Sequence, residues 1–169
     1  MLKLSLILML TISFLTANDL NQLKKSTDFK LLVPKDSKLK HNKIEIKEPY
    51  PLKFDSPISR VRIHYFDKSG QTYVFGLEEH KAVGYKVKRI KTTMDARTKT
   101  SKTELTEENF KFDLRGEKVS INGIEGRFEA WVNHDKGGYL RWMQDDTYLE
   151  MDSGVLTKQM MLDIAASIQ

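Results

Sequence analysis

Apolar residues recur at every second position in several short segments of the chain, which is the period of a β-strand with one buried face. In the first half, the apolar series Val61, Ile63 and Tyr65 alternates with basic side chains and predicts a half-buried strand. A turn sequence at residues 67–70 follows, and a second apolar series begins at Tyr73. Two such segments joined by a short turn that contains glycine are typical of a β-hairpin.

Weaker alternations predict further strands in this half. They are Phe29, Leu31 and Val33 before Pro34, then Ile44 with Ile46, and then Tyr85 with Val87. Residues 92–106, by contrast, contain almost no apolar side chain. We expect a mobile loop there, because a segment without apolar residues has nothing to bury against the core.

The second half of the chain has clearer signals. Asn122-Gly123 is the strongest turn signal, because both residue types tolerate the positive φ angles of a tight hairpin. It separates a strand that ends at Ile121 from a second strand that contains Phe128. Two further strands are indicated by Leu140 with Trp142 and by Leu149 with Met151, and Gly154 ends the last of them. Together these segments predict an antiparallel meander.

Helical signals lie at the two ends of the expected domain. Asn18 or Asp19 can cap a short helix that continues through Lys25. Near the C-terminus, Thr157 has the features of an N-cap, and an apolar face with helical spacing follows it. That face consists of Met161, Ile164, Ala165 and Ile168. We therefore predict an α+β fold: an antiparallel, curved β-sheet with a short N-terminal helix and a C-terminal helix packed on one face.

The N-terminus has the layout of a secretory signal peptide. After Lys3, residues 4–17 carry no charge, and this apolar segment is shorter than the ~20 residues of a membrane-spanning helix. We expect cleavage near Ala17; an uncleaved membrane anchor is the alternative. The predicted organisation is a signal peptide at residues 1–17 and a single α+β domain at residues 18–169. We expect the protein to be secreted or extracytoplasmic and associated with the cell envelope.

Charge is distributed unevenly along the chain. Residues 81–103 contain eight basic residues and only Asp95 as an acidic one, whereas residues 104–169 contain seven basic and thirteen acidic residues. The basic run indicates either a solvated surface or a patch for an anionic partner, such as an envelope polyanion or an unknown protein. The candidate patch residues are Lys86, Lys88, Arg89 and Lys91. In a strand, Lys86 and Lys88 would project from one face and Arg89 from the other.

No pattern in the chain indicates catalysis. The four histidines lack the spacing of metal ligands, no cysteine is present, and no serine has a nucleophile-elbow context. Adjacent carboxylates such as Asp145 and Asp146 would point to opposite faces of a strand and are better explained as a turn. We therefore expect no enzyme activity, no metal and no cofactor. Nucleic acid is not an expected partner, because the chain contains no recognisable nucleic-acid-binding module.

Trp131 and Trp142 are the other candidate site residues. They flank one turn and could lie diagonally on one face of the sheet. If the helices leave that face open, the two rings would line an apolar groove for a hydrophobic ligand. The alternative is that both rings pack in the core under the C-terminal helix. An open cavity between sheet and helices would favour the groove, and a filled core would favour the second interpretation.

The C-terminal segment GYLRWMQDDTYLEMDSGVLTKQMMLDIAASIQ resembles the end of a domain family of unknown function from extracytoplasmic proteins of spore-forming Gram-positive bacteria. The shared features are Trp142, Tyr148, Leu156-Thr157 and residues 164–168, and FKLLVPKDSKL at residues 29–39 is similar to the opening of the family. Such domains are often C-terminal in anti-sigma-factor-like proteins, and their form is similar to lipoprotein-carrier half-barrels. The resemblance implies a non-catalytic binding or regulatory domain of the envelope. The alternative is a carrier or sensor of a hydrophobic, lipid-like ligand in a half-barrel groove.

Overall fold

A computed structural model of the protein describes residues 17–35, 39, 42–49 and 56–169, and this part of the chain contains two α-helices and nine strands. In chain order the elements are α1 (Ala17–Ser26), β1 (Lys43–Glu48), β2 (Arg60–Phe66), β3 (Tyr73–Lys81), β4 (Lys86–Asp95), β5 (Thr100–Asn109), β6 (Glu117–Ile121), β7 (Ile124–Ala130), β8 (Gly138–Gln144), β9 (Thr147–Ser153) and α2 (Lys158–Ala166). The predicted signal peptide, residues 1–17, lies outside the described residues except for Ala17, which is the first residue of α1.

Seven of the strands form one antiparallel sheet in the order β1-β2-β3-β9-β8-β7-β6. The chain builds three strands from one edge towards the middle and leaves the sheet after β3. It re-enters at the opposite edge with β6 and returns strand by strand to β9, which pairs with β3. The sheet is curved, with one helix at each end of the domain. The predicted α+β fold is therefore confirmed.

The helices cover one face of this sheet, where most of the alternating buried side chains of the strands are apolar. Val61, Ile63 and Tyr65 on β2 are at most 3 % exposed. Leu23 of α1 and Ile164 of α2 belong to the same core. Burial of such a side chain contributes about 1.5–3 kcal/mol, so the alternation that predicts the strands also supplies most of their stability. We call the face away from the helices the outer face.

Two local signals in the second half form as predicted. Asn122 and Gly123 connect β6 to β7 with φ angles of 48° and 84°, which is the tight turn that these residue types favour. Thr157 caps α2, and its hydroxyl oxygen accepts a hydrogen bond from the backbone N–H of Met160 at 3.3 Å. The cap satisfies one of the free N–H groups of the first turn, and the apolar face of α2 is directed into the core.

The N-terminal segment differs from the prediction in two respects. Asn18 and Asp19 lie inside the first turn of α1, so neither is the residue that precedes the helix. Residues 29–33 do not form a strand, and the burial of the adjacent Leu31 and Leu32 does not follow the predicted alternation. Separate hydrogen bonds to distant parts of the chain hold this segment, and such bonds leave no pattern in the local sequence.

The largest difference concerns residues 92–106, for which we predicted a mobile loop. They lie in a regular hairpin, because β4 and β5 each contain ten residues and pair along their whole length. The strands are joined by cross-strand polar pairs, such as Thr92 opposite Thr103. The sequence suggests a loop because it contains no apolar pairs at these positions. The carboxylate of Asp95 accepts two backbone N–H groups of the turn, at 2.8 and 3.2 Å. The loop prediction is therefore corrected to a hairpin.

Candidate functional site

The β4–β5 hairpin contributes no residue to the hydrophobic core that the described residues form. We call residues 86–109 the arm. Its strands pair with each other and with none of the other strands that the structure describes, and almost all of its side chains are exposed. The backbone N–H of Phe110 donates to the carbonyl oxygen of Tyr85 at 2.9 Å, so the two ends of the arm lie side by side. The arm is therefore a projection with a single point of attachment.

An aromatic cluster fixes the base of the arm on the outer face of the sheet. The rings of Tyr85 and Phe110 lie 3.9 and 4.5 Å from the ring of His80 on β3, and Phe110 lies 4.6 Å from Tyr148 on β9. Nδ1 of His80 donates to the carbonyl oxygen of Lys81 at 2.8 Å, and burial lowers the pKa of this histidine. A neutral imidazole thus stacks in the cluster and holds the base of the arm.

Strand alternation gives the arm two faces of different chemistry. On one face, Ile90 lies directly opposite Leu105, and Met94 lies two same-face positions further along, beyond Thr92. These three apolar side chains are 74, 65 and 75 % exposed. Lys86 and Lys88 belong to the same face. We call this the apolar face of the arm.

The predicted patch for an anionic partner is divided between the two faces of the arm. Lys86 and Lys88 belong to the apolar face, and Arg89 and Lys91 belong to the opposite face. β5 also places carboxylates beside two of them, at 3.9 Å from Lys86 and 3.2 Å from Arg89. Such exposed ion pairs contribute little stability. They do reduce the net positive charge at the base of the arm, so the four residues do not form one patch.

The tip of the arm, residues 93–102, carries a net positive charge. It contains Arg97, Lys99 and Lys102 against Asp95. Asp95 is engaged within the turn, where the backbone N–H bonds lower its pKa. Lys102 also contacts a carboxylate of β5 at 2.6 Å, so the other two basic residues are the more open. The basic run in the sequence includes these three residues. Only the register of the hairpin shows that they lie apart from the ion pairs of Lys86 and Arg89 at the base.

On the outer face, a buried arginine holds together one group of charged side chains. Arg141 is 3 % exposed, and its guanidinium donates to Glu150 at 2.7 Å and to Glu129 at 2.8 Å. Tyr148 also donates its hydroxyl to Glu150, at 2.8 Å. These residues come from β7, β8 and β9, so the group ties three neighbouring strands together.

A second polar group lies over Gly76 on the same face. Arg62 and Tyr73 donate to the carboxylate of Asp152 at 2.5 and 2.6 Å, and Nε of Arg62 donates to Nε2 of His64 at 3.1 Å. A Cβ at Gly76 would lie 2.5 Å from the tyrosine hydroxyl, so the missing side chain makes room for the group. Burial and the neighbouring carboxylate raise the pKa of Tyr73, which keeps its hydroxyl a donor. The carboxylate is fully engaged, which favours a structural role.

The structure separates the two tryptophans and corrects the prediction of a shared groove. Trp142 on β8 is wholly buried on the helix side of the sheet, opposite Gly126. Trp131 follows the last residue of β7 and lies beside Tyr139, with 6.2 Å between the ring centroids. Tyr139 alternates with the buried Leu140 and belongs to the outer face. Strand alternation thus directs the two indole rings to opposite sides of the sheet.

The helix side of the sheet is filled by packed side chains. Leu77, Leu149, Met151 and Met161 are all fully buried between the strands and the helices. Within the described part of the chain, no three histidine or acidic side chains gather in a way that could hold a metal ion. The arm is therefore the strongest candidate site.

Comparison of the chain with protein-family models, with curated proteins and with solved structures finds no match. The family resemblance drawn from the C-terminal segment remains an expectation. Over the residues that the structure describes, no helix is long and apolar enough to cross a membrane.

Proposed function

We propose that the protein is a secreted or cell-envelope domain that binds an anionic partner through the arm and has no catalytic role. The observation that carries this proposal is the arm itself, whose ten-residue strands leave the sheet, stay exposed and end in the positively charged tip. A two-stranded hairpin without a packed face is marginal in water. The fold gains little stability from these residues, so an external contact explains them better than a structural role.

The charge of the partner follows from the tip. Arg97 and Lys99 lie in the turn between β4 and β5, at the end of the arm furthest from the sheet. Charges at the end of a projection meet an approaching surface first, and their attraction to anions is reduced by salt. Export is proposed from the apolar segment at residues 4–17. The anionic surfaces that an exported protein meets are the polymers and lipid headgroups of the envelope.

The alternative function, a carrier or sensor of a hydrophobic ligand, has less support. A half-barrel carrier needs an open apolar space between sheet and helices, and that space is occupied by side chains such as Phe75 and Trp142, which are both fully buried. A cleft of about 380 Å³ beside Trp131 lies on the outer face and is lined by charged and apolar residues together. Ligand pockets for apolar molecules are mostly enclosed and apolar, so this cleft is a poor match.

Cosedimentation with purified cell wall and with anionic vesicles tests the proposal. The tip variant changes Arg97, Lys99 and Lys102 to Gln. A matched control changes Lys25, Lys68 and Lys136 to Gln, which removes the same number of exposed charges from outside the arm. We expect the wild type and the control to bind at low salt and the tip variant to bind at least about tenfold more weakly.

High salt should reduce the binding of the wild type towards that of the tip variant. Equal binding by the tip variant and the control would contradict a role for the tip, and no binding to either surface at low salt would contradict an anionic partner altogether.

A further inference from the structure

We propose that the apolar face of the arm docks on the surface of an anionic lipid bilayer. This inference rests on the proposed function and deepens it, because it assigns the arm one class of partner. It is carried by the position of three exposed apolar side chains among basic ones on a single face of a projecting hairpin.

Three apolar side chains, which we call the apolar row, lie along this face, and the polar pair of Thr92 and Thr103 separates the first two from the third. Ile90 and Leu105 are a directly opposed cross-strand pair, and Met94 lies two pairs further towards the tip. Each is at least 65 % exposed. Large apolar side chains that are exposed singly are common on protein surfaces. Three of them on one face of an element that packs against nothing else are better explained by a partner than by chance exposure.

The carboxylates of the arm are arranged away from this row. The hairpin register places Asp95, Glu104 and Glu108 on the opposite face, and only Glu107 on the apolar face. Glu107 lies opposite Lys88 and 3.9 Å from Lys86, so its charge is compensated. The apolar face is therefore free of net negative charge, which is the condition for contact with anionic headgroups.

Basic residues lie at both ends of the apolar row. Lys86 and Lys88 lie at the base of the arm, and Arg97 and Lys99 lie in the turn at the tip. Each basic residue near an anionic membrane surface strengthens binding by about 1 kcal/mol, which is roughly fivefold. Apolar side chains between such residues can enter the interfacial region while the charged ends remain at the headgroups.

Two other occupants fit the observations less well. A soluble envelope polyanion would be attracted to the basic residues, but it would leave Ile90 and Leu105 exposed to water. A second copy of the chain could cover the apolar row. Two apolar faces that meet would, however, bring the basic ends of the two arms together whichever way the arms run, which like-charge repulsion opposes. The bilayer is the occupant that satisfies both the apolar and the basic side chains.

The test measures binding of the mature chain to vesicles of phosphatidylcholine with and without phosphatidylglycerol. The apolar-row variant changes Ile90, Met94 and Leu105 to Ser. Its matched control changes three exposed apolar residues outside the arm to Ser: Leu114, Val132 and Met160. Because the row packs against no other element, the variant should keep the wild-type melting temperature, so a loss of binding would not reflect unfolding.

We expect the wild type and the control to bind only the vesicles that contain phosphatidylglycerol, and the apolar-row variant to bind them at least about tenfold more weakly. In a Leu105→Trp variant, the added indole should shift its emission to shorter wavelength when these vesicles are added. Binding of the apolar-row variant to soluble polyphosphate should equal that of the wild type, because its charges are unchanged.

The outcomes separate this inference from the proposed function. If the apolar-row variant binds vesicles as the wild type does while the tip variant does not, the arm still binds anions but the bilayer inference is overturned. The same conclusion follows if the wild type binds cell wall and not vesicles. If sedimentation shows a wild-type dimer and an apolar-row monomer, a second copy covers the row and the inference is also overturned. If the wild type binds neither cell wall nor vesicles, both proposals fail.

Discussion

Glu79 on β3 accepts a hydrogen bond from the backbone N–H of Leu32 at 2.8 Å, and its side chain is wholly buried. The bond joins the N-terminal segment to the middle of the sheet. The second carboxylate oxygen, Oε1, has no hydrogen-bond partner among the described residues. Burial raises the pKa of Glu79 well above its ordinary value of 4.5, although the bond from Leu32 and the nearby Lys24 of α1 act in the opposite direction.

This carboxyl group should make the stability of the fold depend on pH. Below pH 4.5 both the folded and the unfolded chain hold the proton. As the pH rises above that value, the unfolded chain releases the proton while the folded chain retains it, so the free energy of unfolding decreases until the folded pKa is passed. Glu79→Gln removes the titrating group and should therefore raise the free energy of unfolding relative to the wild type more at about pH 8 than at about pH 5.

Urea unfolding at about pH 5 and about pH 8 would check this. The pH-dependent loss should be smaller in Glu79→Gln than in the wild type. Glu104→Gln, on the exposed arm, should keep the wild-type dependence. An unchanged loss in Glu79→Gln would mean that the buried carboxyl does not control it.

The terminal helix should be essential to the fold through its buried face. Ile164 is 5 % exposed, so a charge there would be buried without a partner. We expect Ile164→Asp to lower the free energy of unfolding by at least about 3 kcal/mol or to prevent folding. Met160→Asp is the control on the same helix, because Met160 is 49 % exposed and should tolerate the change. Thermal melts followed by circular dichroism would show the difference, and similar melts for both variants would contradict docking of α2.

Arg141 should contribute more stability than any exposed arginine. Arg141→Met would leave Glu129 and Glu150 close together without their shared partner, so we expect a loss of roughly 2 kcal/mol. Arg115→Gln is the comparison, because Arg115 is largely exposed and pairs mainly with Asp113; its loss should be clearly smaller than that of Arg141→Met, because exposed ion pairs contribute little. Chemical denaturation of both variants measures the two values. A smaller loss for Arg141→Met than for Arg115→Gln would contradict the role assigned to the buried group.

Export should depend on the apolar segment that follows Lys3. Protein recovered from the culture medium or cell wall should have an N-terminus near Asn18, as determined by Edman sequencing. Leu8→Arg interrupts the apolar segment and should retain the chain in the cytoplasm. Detection of the full-length wild-type chain only in the membrane fraction would favour an uncleaved anchor.

Elements that depend on local chemistry were predictable from the sequence. The turn at Asn122-Gly123 and the cap at Thr157 each require particular residue types at particular positions, and both form. Asp145 and Asp146 adopt positive φ angles of 50° and 60° between β8 and β9, as a turn should. Alternation of apolar and polar residues likewise identified the strands of the main sheet.

Elements whose pairing leaves no apolar pattern in the sequence were not predictable in this way. The arm is held by pairs between polar side chains, whose register is invisible in a sequence without apolar alternation. Residues 29–33 carry the alternation of a strand, but they bond to separate places in the fold and do not pair as a strand. The prediction of a groove between Trp131 and Trp142 was wrong. Trp131 is the residue after the end of β7, and its position relative to the strand decides which face its ring occupies. The candidate site was not predictable for the same reason, because the β4–β5 register decides which residues of the arm share a face.

The hydrogen bond between Tyr85 and Phe110 also bears on how the arm can change during evolution. Because both ends of the arm leave the body at this one place, a longer or shorter hairpin would not disturb the sheet beneath it. Each residue added to both strands extends the hairpin by about 3.4 Å, and a step of two residues per strand preserves which side chains share a face. Selection can therefore adjust the length of the arm independently of the core. Related proteins should differ more in arm length than in the length of the sheet strands.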